Sequence, residues 1–294
     1  MHVKTSRARL FAACFLLPAL LVYIAFQIVP LIGAVYFALA RWDGIAGSEV
    51  TFVGLKNFIN LFKDKAFLLA LKNMAVMVVG SVVFHTPIAL LLAVALQATK
   101  RGFRLFKAIY FIPTVFPLTA IGLMWMFVFM PNGALNALLK NIGLTFLAQN
   151  WLIDKATAMN TITFVNIWAG IGYYMVILLA GLTTISPDIY EAAEIDGVNA
   201  TQKLFQVTVP ILKPTLVMCI LMDIMGSIKV FDLVFAMTGG GPNGLTNLPT
   251  TLMYQEAFLY DHYGVGSAIG VVIMLICLTA TGLTEALGKK SNRD

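Results

Sequence analysis

The sequence predicts an all-α polytopic membrane protein of six transmembrane helices with both termini cytoplasmic, and three observations carry that fold class. Composition comes first: 60% of the 294 residues are hydrophobic and 12% are charged, with a mean hydropathy of +0.87. That is more apolar surface than a soluble domain of this length hides from water. Second, six apolar runs at about 10–40, 71–97, 108–130, 157–182, 214–237 and 264–286 each exceed the ~17 residues a membrane-spanning helix needs. Third, charge is biased. Six spans put both ends on one side. With the amino end inside, the inner segments hold Lys4, Arg7, Arg9, Lys100, Arg101, Arg104, Lys107, Lys203, Lys213, Lys289, Lys290 and Arg293, twelve in all. The outer segments hold seven: Arg41, Lys56, Lys63, Lys65, Lys72, Lys140 and Lys155.

In chain order, residues 1–9 form a basic cytoplasmic head. The run 10–40 is far longer than the apolar region of a signal peptide, so a retained span is expected although Ala38-Leu39-Ala40 imitates a cleavage site. Pro18 and Pro30 should bend it. Arg41-Trp42-Asp43-Gly44 marks an aqueous boundary and opens a polar loop to about Ala66. Pro113 and Pro117 lie near the start of the third span, and Pro131-Asn132-Gly133 ends it. Trp151 is placed as an interfacial anchor before the fourth span. After the fifth, Thr238-Gly239-Gly240-Gly241-Pro242-Asn243-Gly244 cannot remain helical and opens a loop to about His262. Residues 287–294 form a cytoplasmic tail.

Between the fourth and fifth spans lies a polar island, 187–210, with Asp188, Glu191, Glu194 and Asp196 within nine positions. Ser186 suits a helix cap, Pro187 a first helical position, and Gly197 a left-handed stop. Asn199 can cap a second helix that Pro210 ends or kinks. Glu191 and Glu194 fall on neighbouring turns, and Ala192 and Ala193 permit close backbone approach.

The spacing Glu191-Ala192-Ala193, three residues, Gly197, nine residues, Val207-Thr208-Val209-Pro210 resembles the EAA signature of ABC-importer permeases, with Val207 and Val209 in place of the usual Ile and Leu. Other stretches are similar to the carbohydrate-uptake branch, the maltose-type and glycerol-phosphate-type subunits. These are Phe15 to Leu20, Phe52 to Phe58, Phe111-Ile112-Pro113, Val230-Phe231-Asp232 and Met237 to Pro242. The resemblance implies a type I importer permease fold and a sugar, oligosaccharide or glycerol-phosphate-like cargo. It also implies four kinds of partner: a second, distinct six-span permease, two cytoplasmic ATPase subunits, an extracytoplasmic solute-binding protein, and the solute. In that family the island is the coupling region, which assigns Glu191, Ala192, Ala193, Glu194, Asp196, Gly197 and Pro210 to ATPase coupling. Gly239, Gly240, Gly241 and Pro242 would touch the binding protein, or form only a flexible helix terminator. The chain has no G-x-x-x-x-G-K-[ST] loop, so no cofactor is expected on it; ATP and magnesium would belong to the partner ATPase.

Charges within a bilayer cost roughly 2.5–3.5 kcal/mol each at a helix centre, so Asp223, Lys229 and Asp232 should face protein or a water-filled path. Lys229 and Asp232, three apart, are expected to share a helix face, as solute ligands or as a structural ion pair. Ser227 joins the same pathway. Asn166, Gly170 and Tyr173, at i, i+4 and i+7, with Trp168 and Tyr174 beside them, offer aromatic and hydrogen-bonding groups to a sugar, or pack helices. His85, close to Pro87, is read as a satisfied kink residue rather than a proton relay. The alternative functions are an ion-coupled secondary transporter or channel, which leaves the island unexplained, and a membrane enzyme. No Ser/His/Asp grouping or metal cluster supports the enzyme, and the basic residues, placed beside apolar spans, orient the chain in a membrane rather than bind nucleic acid.

Overall fold

The computed structural model describes residues 5–99 and 101–291. Lys4, Lys100 and Arg293, and with them parts of the expected terminal segments 1–9 and 287–294, lie outside the described residues. Among the described residues, the architecture is helical apart from one antiparallel pair, β1 (Ala40–Arg41) with β2 (Thr51–Phe52). Six helical segments are long and apolar enough to cross a membrane: Cys14–Ala38, Lys65–Gln97, Leu118–Asn141, Ala158–Leu182, Ala200–Ile228 and Tyr263–Thr284. The chain divides into two compact units, one of residues up to Asp64 with Met253–Val272, the other of Lys65–Leu252 with residues from Ile273 onward.

The first unit begins with α1 (Thr5–Tyr23) and α2 (Val29–Ala38), joined by a π-turn at Ile24–Ile28. The π-turn explains how the helix passes Pro30. Val29 N–H reaches five residues back to Ile24 O, so the register has already slipped when the proline, which has no N–H to give, arrives. Asn57, in α3 (Lys56–Leu61), donates from Nδ2 to Ala38 O at 2.9 Å and Ala40 O at 2.8 Å, closing carbonyls that the end of α2 leaves open. Ser48 Oγ and the Ile45 N–H both donate to Asp43 Oδ1, and these bonds hold the Asp43 carboxyl below its ordinary pKa. Trp42 stacks on Phe37 and meets Tyr263 edge-on.

In the second unit α4 (Lys65–Gln97) runs 33 residues, about 50 Å at ~1.5 Å per residue, and therefore outreaches a ~30 Å hydrocarbon core. The expected third span is two helices, α5 (Phe103–Val115) and α6 (Leu118–Phe129). The break falls at Phe116, extended at ψ 146°, because a residue ahead of proline is driven out of the helical region by Pro117. α7 (Ala134–Asn141) follows, and Trp151 Nε1 donates to Asn136 Oδ1 at 2.9 Å. α8 is Ala158–Leu182, and α9 (Pro187–Ile195) and α10 (Ala200–Gln202) form the island. Ala200–Ile228 then continues as one helical segment through a π-turn at Lys203–Thr208 into α11 (Val209–Ile228). Pro210 thus neither ends nor breaks it: Val209 N–H bonds Leu204 O, the same slip that precedes Pro30. The expected span 214–237 instead stops at Ile228 and resumes as α12 (Asp232–Thr238), and the Thr250 hydroxyl donates to Val230 O, freed at the break.

The expected loop to His262 is in part helical, with α13 (Pro249–Tyr254) and a π-turn at Gln255–Leu259 before α14 (Tyr263–Ser291). The core of this unit lies where α4, α8 and α11 meet, with Ala89 and Ala93 against Met175, Leu178, Leu182, Leu212 and Cys219. Small residues on α4 let the helix axes approach closely, which is how helices associate where lipid is as apolar as leucine.

Candidate functional site

Two places gather the residues that the sequence singles out. The first is the island. Ser186 Oγ accepts from Asp188 N–H and caps α9; Asn199 and Gln202 form a reciprocal capping box at α10. Between them Gly197 turns the chain at φ +76°, a conformation that costs an L-residue about 1–2 kcal/mol. Lys203 Nζ forms an ion pair with Glu194 Oε1 and sits 6.0 Å over the Tyr190 ring. Tyr190 and Thr208 hydroxyls lie 3.3 Å apart. These contacts tie α9 to the foot of α11. Ala193 is buried against the chain, so of the two alanines only Ala192 is open to a partner. Glu191 and Asp196 are exposed, and Ile195, which the sequence reading passed over, is 86% exposed. Pro210 is exposed on α11.

Glu194 is therefore not a free carboxylate. The pair is solvent-exposed and should contribute only ~0.2–1 kcal/mol. A double-mutant cycle of Glu194→Gln and Lys203→Gln, read by thermal unfolding of the purified protein, is expected to return a coupling in that range.

The second place is a cavity of about 250 Å³ between α4, α5, α8 and α11. It brings together five of the seven expected pathway residues: Asn166, Tyr173, Tyr174, Asp223 and Ser227. Asn166 Nδ2 donates to Ser81 Oγ at 3.1 Å across to α4, and Thr114 Oγ1 donates to Ala169 O at 3.1 Å. Tyr174 meets His85 edge-on at 4.7 Å. His85 Nδ1 lies 3.0 Å from Asp223 Oδ1, joining α4 to α11. The expectation of a satisfied residue holds for one ring nitrogen only: Nδ1 has its partner on another helix, while Nε2 of His85, which lines the cavity, has no hydrogen-bond partner in the chain. Gly170 makes room for it, since a methyl there would stand 2.5 Å from His85 Cε1. His85 was legible as one of the few polar residues in an apolar span, four after Ser81; only its partner was not.

Lys229 and Asp232 do not line the cavity and do not pair. The helix break at 229–231 separates them, Lys229 closing α11 and Asp232 opening α12, so their shared face does not exist; both are exposed. Trp168 is not in the lining of this cavity and meets Trp125 edge-on at 5.3 Å. The glycine loop is not slack. Thr246 Oγ1 lies 2.7 Å from Thr238 Oγ1 and donates to Gly241 O at 2.9 Å, while Asn73 Nδ2, from α4, holds Leu245 O and Asn247 O at 2.8 and 2.9 Å. Gly239 and Gly240 take positive φ at the end of α12, and Pro242 is exposed.

Residues 85–293 match the family model described as "Binding-protein-dependent transport system inner membrane component". The chain is 36% identical over 267 residues to "Probable ABC transporter permease protein YurN" of Bacillus subtilis, covering 90% of this chain and 91% of that protein. It is 30% identical over 276 residues to "Multiple sugar-binding transport system permease protein MsmF" of Streptococcus mutans, covering 94% of each. A crystal structure of "a bacterial ABC transporter involved in the import of the acidic polysaccharide alginate" contains a chain of the same fold, with a TM-score of 0.84, 21% identity and 98% of each chain covered.

Proposed function

Because this chain belongs to the family of binding-protein-dependent transport system inner membrane components, we propose that it forms half of the membrane pathway of an ATP-driven importer for a sugar or oligosaccharide. It is a multi-pass permease of the bacterial or archaeal cytoplasmic membrane and a non-catalytic subunit. In the proposed assembly the island 187–210 faces the cytoplasm, where Glu191, Ala192, Glu194, Ile195 and Asp196 meet one of two ATPase subunits. ATP and magnesium are bound there, not by this chain. A second six-span permease completes the pathway, towards which Lys229 and Asp232 are exposed. The rigid Gly239–Pro242 loop meets the solute-binding protein outside.

One observation carries the reading. The island is tied by Glu194–Lys203 and Tyr190–Thr208 to a helical segment that runs unbroken from Ala200 to Ile228 and presents Asp223 and Ser227 to the cavity. A push on the island is therefore a displacement of cavity-lining groups, which is what coupling a nucleotide cycle to access requires. A sugar is supported by the tyrosine faces and hydroxyl and carboxylate groups of the cavity, and by relatives such as MsmF whose name specifies sugar. The test is co-purification with two ATPases, a second permease and a binding protein, then ATP hydrolysis measured across a sugar panel. Stimulation by a sugar-loaded binding protein is expected; uptake catalysed by this polypeptide with no ATPase present would contradict the reading.

A further inference from the structure

Three residues that line this cavity each carry a buried polar atom with no hydrogen-bond partner in the chain: His85 Nε2, Asp223 Oδ2 and Ser227 Oγ. Their residues are 3%, 2% and 2% exposed. Buried polar atoms are nearly always satisfied, so three orphans on residues around one cavity point to a hydrogen-bonding ligand there.

The contact already made determines what that occupant must supply. With Asp223 ionised, its Oδ1 accepts and the proton of the 3.0 Å contact lies on His85 Nδ1. In the neutral ring Nε2 is then an acceptor, as Asp223 Oδ2 is, while Ser227 Oγ serves either way. With both ring nitrogens protonated, the imidazolium and the carboxylate cancel. With that carboxylate ionised the pair carries a charge of −1 or 0. No Lys or Arg lines the cavity, and Lys229, at the end of α11, lies outside its lining. A carboxylate or phosphate entering here would meet lone pairs and no compensating cation; a hydroxyl would donate to them.

Resting on the permease reading, we infer that the His85–Asp223 pair, with Ser227, is a specificity filter. It favours an uncharged, hydroxyl-rich solute, a neutral saccharide or polyol, and rejects anionic solutes, glycerol phosphates and uronates among them. Each donor–acceptor contact that an anion leaves unmet is worth about tenfold in affinity.

The test uses the complete importer in nanodiscs with its histidines 15N-labelled. This chain has three histidines, and the His85 ring signals are assigned by their loss in both H85Q and H85N. Trehalose, raffinose, xylitol, glycerol 3-phosphate and trigalacturonate are titrated separately. At least one neutral probe is expected to move the His85 Nε2 signal at a concentration tenfold or more below any anion, and D223N is expected to weaken that response at least tenfold. An anion that shifts Nε2 as readily as the neutral probes overturns the inference, as does the absence of a shift with all five, or a response unchanged in D223N. ATP hydrolysis by the same preparation is followed in parallel. Hydrolysis indifferent to every loaded binding protein would count against the permease reading, while the order of the Nε2 shifts would still decide the filter.

Discussion

Gly197→Val is expected to abolish solute uptake and uptake-linked ATP hydrolysis while leaving membrane insertion and protein yield close to wild type. The two halves of this expectation have separate physical origins. No atom lies within 4 Å of a methyl group built on Gly197, so the substitution causes no clash and little loss of stability. The backbone, however, stands at φ +76°, a region costly for any side chain and most costly for a β-branched one. The chain relieves that strain by rotating the turn. The Glu194–Lys203 and Tyr190–Thr208 ties cross this turn and would be lost or misaligned, so α9 would no longer be held to the helix that reaches the cavity. Uptake and hydrolysis in a reconstituted complex, beside yield in the membrane fraction, measure both halves; Gly197→Val transporting at the wild-type rate would rule out the island as the coupling element.

Gly172→Ala is expected to have the opposite profile, preventing the chain from folding and assembling. A single methyl at Gly172 would sit 2.1 Å from Tyr110 O and 2.7 Å from Phe111 Cα. Both are backbone atoms of α5, so no side-chain rotation relieves the overlap and the helix itself must move. Overpacking usually costs about 1–3 kcal/mol, and a main-chain contact this short lies at or above the top of that range. Moving α5 would also disturb Thr114 and its bond to Ala169 O, at the cavity wall. Size-exclusion chromatography of the solubilised complex should show the assembled peak lost. Gly33→Ala, where nothing lies within 4 Å, should leave it intact.

The helices were legible in the sequence wherever the signal was local. Long apolar runs mark all six spans, and Ser186, Gly197 and Asn199 carry their own cap and turn chemistry, which is why the island could be drawn almost to the residue. What failed were inferences that treat a proline or a loop by rule. Pro210 is expected to end or kink its helix, yet the helix continues through it after a π-turn that shifts the hydrogen-bond register one residue earlier, as another does ahead of Pro30, and nothing in Leu204–Val209 announces it. The pairing of Lys229 with Asp232 rests on helical arithmetic that presupposes an unbroken helix, and at the break Val230 O is satisfied by Thr250, a residue of another segment. The cavity was half legible for the same reason. Asp223, Ser227, Asn166 and Tyr173 stand out as polar groups in apolar spans. That Asp223 closes on His85, 138 positions away, is set by the packing of α4 against α11 and has no local signature.

The central claim is that the island between the fourth and fifth spans projects into the cytoplasm. It is tested most directly by placing a single cysteine at Ile195, 86% exposed, in a background where Cys14, Cys219 and Cys277 are replaced, and adding a membrane-impermeant maleimide. The I195C protein should remain unlabelled in intact cells and react fully in inside-out vesicles. Labelling from the outside of intact cells, with no reaction in inverted vesicles, would contradict the account.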